Sequence, residues 1–268
     1  MKKRSFILFE IIISYRIIYM NELMCNPDVP NFKHINGVIN GKNWQILVEW
    51  MLEVSAMPAW RDDLLPETVF LGVALLNRFL VRAPTLITIS NLQLYGITSM
   101  ILASKMEQRY PIPSKDWIVM TADSYTKLDV VVAEEVILKA LEYRTIIPTA
   151  FMLLTAHPQS NERIVKQACF LLTMSLQDHR LMMIPDSTRV EGAVFSASCS
   201  LYPDRILLLS TLNRNDRLAA ALIAALHDRI LHRNRVYGES KLFKNLAGDD
   251  VDIIRTPPNM ILVFCGGT

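Results

Sequence analysis

Cysteine, glycine and charge of one sign are all in short supply, and each scarcity narrows what this chain can be. Four cysteines occur in 268 residues, at Cys25, Cys169, Cys199 and Cys265. None forms a Cys-x-x-Cys, and none stands near a histidine at metal-ligand spacing, so neither a disulfide framework nor a zinc site is indicated. The expectation is reduced thiols in an intracellular protein, with Cys169 and Cys199 packed as small apolar side chains. Only 9 residues are glycine, which argues against a strand-and-turn protein. Lys and Arg number 28 against 26 Asp and Glu, a net charge of +2 with the signs interspersed. That mild balance excludes a strongly basic nucleic-acid surface and an acidic tail.

Also missing are the short motifs of common chemistries: GxSxG, a phosphate-binding Walker A loop, GxGxxG and HExxH. One enzymatic pattern can be set out, His227-Asp228 with His179 before it and Asp249 or Asp250 after it. Helical metal-dependent phosphohydrolases hold a divalent metal in that order. His-Asp pairs are common, however, and residues at the end of a surface helix are the plainer reading. Long apolar runs are absent from the start of the chain too. Lys2-Lys3-Arg4 precedes an apolar stretch that Glu10 and Arg16 interrupt. A secretory signal needs about 7–15 uninterrupted apolar residues, and each charge at the centre of a membrane span costs about 2.5–3.5 kcal/mol. A soluble helix is expected there. Its apolar residues, among them Phe6, Phe9, Ile12, Ile13, Tyr15 and Tyr19, cover nearly all faces. A helix apolar all round must be covered all round, which one bundle surface cannot do, so a protein partner is a natural second cover.

What is plentiful is apolar side chains, 51% of the chain, most of them recurring with a helical period. In 44–54 the stripe is Ile46, Leu47, Trp50, Met51 and Val54. Pro66 opens a second helix whose buried face is Val69, Phe70, Val73, Leu76 and Leu80. Ser90-Asn91 caps a third helix through Leu102. Ser114 or Thr121 begins short helices around Trp117, and Thr126 or Asp129 starts a helix to Leu141. Pro148-Thr149 breaks the pattern. Helices over 150–154, 161–176, 186–200 and 215–233 follow. Each half thus holds about five helices, and each has one helix rich in small residues: Gly96, Ser99, Ala103 and Ser104, then Gly192, Ala193, Ser196, Ala197 and Ser198. Small side chains let backbones approach, so each such helix is expected at the centre of a bundle.

The segment 44–134 resembles a cyclin box. Ile46-Leu47-Val48-Glu49-Trp50-Met51-Leu52-Glu53-Val54 is similar to its first helix, the run 67–80 ending Leu75-Leu76-Asn77-Arg78-Phe79-Leu80 to its second, and 92–107 ending Leu102-Ala103-Ser104-Lys105-Met106-Glu107 to its third. The runs 121–126 and 134–141 resemble its fourth and fifth helices. Residues 8–15 resemble the N-terminal helix of A- and B-type cyclins, and Cys25-Asn26-Pro27 the linker after it. Phe170-Leu171-Leu172, Gly192-Ala193-Val194-Phe195 and Ala225-Leu226-His227 resemble the second cyclin fold. The likeness, to an A/B-type cyclin in divergent or viral form, covers nearly everything but the tail.

It implies an all-α protein of two tandem five-helix folds, with an N-terminal helix and linker (1–38), a cyclin box (39–147), a second cyclin fold (148–236) and a short irregular tail (237–268). It implies a non-catalytic regulatory subunit that activates a cyclin-dependent protein kinase in the nucleus, the cytoplasm or both. No cofactor, metal, nucleic acid or membrane is expected. Lys105 and Glu134 match the buried polar pair that grips kinase backbone groups, and Ile12, Leu102, Met106, Leu138 and Tyr143 match the apolar surface around it. Met106 and Tyr143 follow helix faces already filled inward. Ile46, Leu47, Trp50, Glu53 and Gln93 match a patch that receives short basic–hydrophobic substrate motifs. At its start stand Asn43, and then Trp44 where a basic residue is usual, which points to altered or lost specificity. A cyclin-fold adaptor that activates no kinase is the alternative, and the phosphohydrolase the third.

Overall fold

The computed structural model describes residues 39–55, 64–159, 161–202 and 214–233, and for 214 and 227–233 the backbone alone. All regular structure among them is helical, with no strand. The expected helix of residues 8–15, the linker and the tail lie outside the described residues. Two compact units emerge, one running to Thr149 and the other starting at Ala150.

In the first unit, α1 spans Gly41–Ser55, α2 Pro66–Arg82, α3 Ile89–Glu107, α4 Ser114–Val119 and α5 Lys127–Ala140. Pro66 stands at the start of α2, where its missing N–H costs nothing. All five residues of the expected α2 stripe, Val69, Phe70, Val73, Leu76 and Leu80, are buried. A short 3-10 turn, Pro84–Leu86, leads to α3. The cap of α3 is Thr88, two residues before the expected Ser90-Asn91. Asn91 still acts there: its Oδ1 accepts from the Thr88 N–H at 2.7 Å, and its amide donates to the Leu86 carbonyl at 2.9 Å.

α3 packs against α1, α2, α4 and α5, the central place that its small residues imply. A Cβ at Gly96 would lie 2.8 Å from Cδ1 of Leu47 on α1. Glycine is what lets that leucine sit against the α3 backbone. Two expectations change here, and a third, open between Ser114 and Thr121, is decided. On α1 the buried face is Trp44, Leu47, Val48, Met51, Leu52 and Val54, while Ile46 is 54% exposed. The run 121–126 is not a helix: it is the connection after α4, with Ala122 and Asp123 at positive φ. And α4 begins at Ser114, its Trp117 fully buried.

In the second unit, α6 is Ala150–Thr155, α7 Glu162–Ser175, α8 His179–Met182, α9 Asp186–Leu201 and α10 Arg214–Arg233. Asn161 caps α7 by accepting from the N–H groups of Arg163 and Ile164. α8, unforeseen in the sequence, is one turn capped by Asp178. α9 packs against α6, α7 and α10. Its Gly192 lies against the backbone of Ala219 and Ala220, and the Ser196 hydroxyl donates to the Gly192 carbonyl at 2.7 Å. Cys199 is fully buried with Ala220 and Ala224, while Cys169 is partly exposed.

Candidate partner-binding site

The site is assembled from the end of α3 and the whole of α5. α3 stops at Glu107, where the Gln108 N–H still reaches the Ser104 carbonyl at 3.1 Å. The Ser104 hydroxyl accepts from the Ile112 N–H at 3.2 Å and so turns the departing chain. That leaves Lys105 and Met106 on the last exposed turn. Met106 is 42% exposed. Glu107 beside it is pushed above the usual carboxylate range, first by burial and then by the nearby Glu67.

The start of α5 is pinned by a reciprocal capping box. Asp129 N–H donates to Thr126 Oγ1 at 3.2 Å, and Thr126 N–H donates to Asp129 Oδ2 at 2.7 Å. Bonds from the Thr126 hydroxyl and then its N–H hold the Asp129 carboxyl below its ordinary range. Val130, Ala133 and Ile137 form the buried stripe, and α5 packs against α3. Glu134, next to Ala133 on that stripe's edge, is thereby set beside α3.

There Lys105 Nζ donates to Glu134 Oε1, closing an ion pair between α3 and α5 from residues 29 apart in sequence. The lysine side chain is 45% exposed and the glutamate 15%. The resemblance implies a buried pair; in the unbound chain the lysine is open to solvent. An ammonium with three donors and a carboxylate with several lone pairs both keep capacity for further bonds. The neighbouring Glu135 is committed instead to Lys139 on its own helix, at 2.6 Å.

α5 ends in a Schellman motif. Tyr143 N–H donates to the Leu138 carbonyl at 2.8 Å, and Glu142 N–H to the Lys139 carbonyl at 3.0 Å. Glu142 takes the left-handed position that glycine usually fills, at φ 52°, and Tyr143 follows at 59°. Tyr143 is 66% exposed. Leu138 is half-buried and Leu102 is core. Ile12 lies outside the described residues. The apolar set is therefore graded: Met106 and Tyr143 outward, Leu138 between, Leu102 inward. The helix ends where the sequence places it, at Leu141, but the left-handed turn after it has no glycine to announce it.

On α1, Ile46, Trp50 and Glu53 stand at i, i+4 and i+7, sharing a face. Ile46 and Glu53 are exposed, Trp50 and Gln93 half-buried, and Leu47 is buried beneath them. Asn43 serves the helix start: its Oδ1 accepts from the Asn40 N–H at 3.2 Å. Trp44 is fully buried, and its indole N–H donates to Asn77 Oδ1 at 2.7 Å. The position where a basic residue is usual is thus a core aromatic with a neutral partner.

Among the described residues no group of three or more His, Cys, Asp or Glu side chains could hold a metal. His179 opens α8; the side chains of His227 and Asp228, and all of Asp249 and Asp250, lie outside the described residues. No described helix is long and apolar enough to cross a membrane.

Fold and site together define an all-helical scaffold with a charged pair open to solvent through its lysine and bordered by apolar side chains, the makings of a protein-binding surface. The family described as "Cyclin, N-terminal domain" matches residues 14–146. G2/mitotic-specific cyclin-1 of Medicago sativa subsp. varia is 31% identical over 176 residues, 65% of this chain and 40% of that protein. Cyclin-B1-3 of Arabidopsis thaliana is 30% identical over 189 residues, 69% of this chain and 44% of that protein. The chain thus spans less than half the length of these relatives. The X-ray structure of a viral cyclin from herpesvirus saimiri aligns with a TM-score of 0.64 at 16% identity, covering 83% of this chain and 99% of that one. This chain belongs to the cyclin family.

Proposed function

We propose that this chain is a regulatory subunit that binds a cyclin-dependent Ser/Thr protein kinase and switches it on, contributing no catalytic group itself. The observation that carries the reading is the Lys105–Glu134 pair, bridging α3 and α5 at the positions where the family grips its kinase. Docking there would favour the kinase conformation with its αC helix inward, its Glu paired to the ATP-positioning Lys and its activation loop open. The chain acts by binding that state preferentially, which lowers its free energy relative to the inactive one. Met106, Leu138 and Tyr143 would supply the apolar contact around the pair. The site of action would be the nucleus, the cytoplasm or both.

The α1 face of Ile46, Trp50 and Glu53 would accept a short substrate segment, with Glu53 facing its basic residue. The neutral Trp44–Asn77 bond beneath α1 would alter which segments fit. The test is a purified mixture of this chain with a cyclin-dependent kinase, read by co-elution and by phosphate transfer to a peptide. Co-elution with increased transfer is expected. Co-elution without it makes the chain an adaptor and overturns activation; no binding to any such kinase overturns the reading itself.

A further inference from the structure

We propose that Arg78 on α2 is a positioning residue for the partner surface, holding the strained turn that presents Tyr143 beside Leu138. The inference rests on the partner reading above and adds to it how that surface is made rigid.

Among the described residues only four that are not glycine have positive φ: Ala122, Asp123, Glu142 and Tyr143. The last two are adjacent, and left-handed backbone is unfavourable for any side chain with a Cβ. Strain of this kind persists only where the surroundings over-determine it. Tyr143 is not held by burying its ring, which is exposed. It is held through its backbone. Its N–H reaches back to Leu138, its carbonyl accepts from Thr145 N–H at 3.1 Å, and Arg144 N–H reaches Leu141 at 2.9 Å. Arg144 also pairs with Glu142 at 3.4 Å.

All of those ties are local. The tie that joins the turn to α2 is Arg78 Nη1 donating to the Arg144 carbonyl at 3.2 Å, across 66 residues of sequence. The neighbours of Arg78 on α2, Asn77 and Phe79, are buried, so its guanidinium projects from a rigid base. The 6→1 bond then fixes Tyr143 relative to Leu138, and the Arg78 tie fixes both relative to α2. An exposed aromatic ring whose backbone is fixed before contact loses less freedom on binding.

The experiment is a double-mutant cycle on affinity for a purified cyclin-dependent kinase, with circular dichroism of each variant. Arg78→Ala is expected to weaken binding about five- to tenfold, and Tyr143→Ala at least as much. The double variant should be no weaker than Tyr143→Ala alone, because Arg78 acts through that ring. Should Arg78→Ala fail to fold, Arg78→Lys, which keeps the stem and one donor, carries the same cycle with a smaller loss. Two results overturn the inference while a weakened Lys105→Ala leaves the partner reading standing. One is wild-type affinity for Arg78→Ala. The other is an equal loss from Arg78→Ala whether or not Tyr143→Ala is also present. If Lys105→Ala also binds as wild type, both fall.

Discussion

Lys105 and Glu134 allow a sharp separation between holding the fold and holding a partner. With the lysine 45% exposed and the glutamate 15%, the pair stays open to solvent through its lysine, and solvent-exposed pairs contribute about 0–1 kcal/mol. Lys105→Ala should therefore lower Tm by no more than about 2–4 °C. In a complex the same groups lose their water. Truncating one member of a desolvated, hydrogen-bonded charge pair costs about 2–5 kcal/mol, a roughly 30-fold or greater loss of affinity. The decisive variant is the exchanged pair, Lys105→Glu with Glu134→Lys. It keeps the bridge within the chain, so stability should stay near wild type. It also reverses the donor and acceptor offered to the partner, so affinity should remain lost. Thermal denaturation and titration calorimetry against a purified cyclin-dependent kinase read the two effects apart. Recovery of binding by the exchanged pair would show that the bridge serves only the fold, and would refute the reasoning.

Three further outcomes follow from the geometry. Gly192→Ala should destabilise more than Gly96→Ala in urea: the new Cβ meets Ala220 N at 2.8 Å and Ala219 C at 3.0 Å, both backbone, whereas at Gly96 it meets a movable Leu47 methyl. Overpacking costs about 1–3 kcal/mol against a helix-propensity gain of about 1 kcal/mol, and the reverse order would be wrong for this packing. Thr126→Ala should cost about 1 kcal/mol through the lost α5 cap. Because folding depresses the Asp129 carboxyl, its stabilisation is present above the ordinary aspartate range and lost as pH falls through the depressed folded value. The deficit of Asp129→Asn should thus shrink in acid, and a deficit constant with pH would contradict it. Burial pushes the Cys199 thiol up to about 11, so iodoacetamide at neutral pH should label it only after denaturation. Peptide mapping that finds equal labelling in the native state would contradict that burial.

The helical class and most helix positions could be read from sequence because α2, α5 and α7 carry apolar stripes or capping residues. α1 misled for a physical reason. Seven of the nine residues in 46–54 are apolar, so more than one stripe satisfies the helical period, and packing against Gly96 and Asn77 selects the one through Trp44 and Val48. The turns after α4 and α5 were hidden because Asp123 and Glu142 occupy left-handed positions without the glycine that ordinarily announces them. α8 is a single turn, too short to show any period. For the site, Lys105 and Glu134 came from likeness alone; neither residue is distinctive by type, and only the packing of α5 on α3 brings them together.

The burial of Trp44 has a consequence for how this molecule can be watched in solution. All four tryptophans, at 44, 50, 60 and 117, precede Thr149, so indole emission reports on the first unit and is blind to the second. Trp44 and Trp117 sit at zero exposure as core probes, while the half-buried Trp50 looks outward beside Ile46. A melt followed by fluorescence sees one unit, and one followed by far-ultraviolet dichroism sees both. Any gap between the two curves is a direct optical reading of whether the units come apart together.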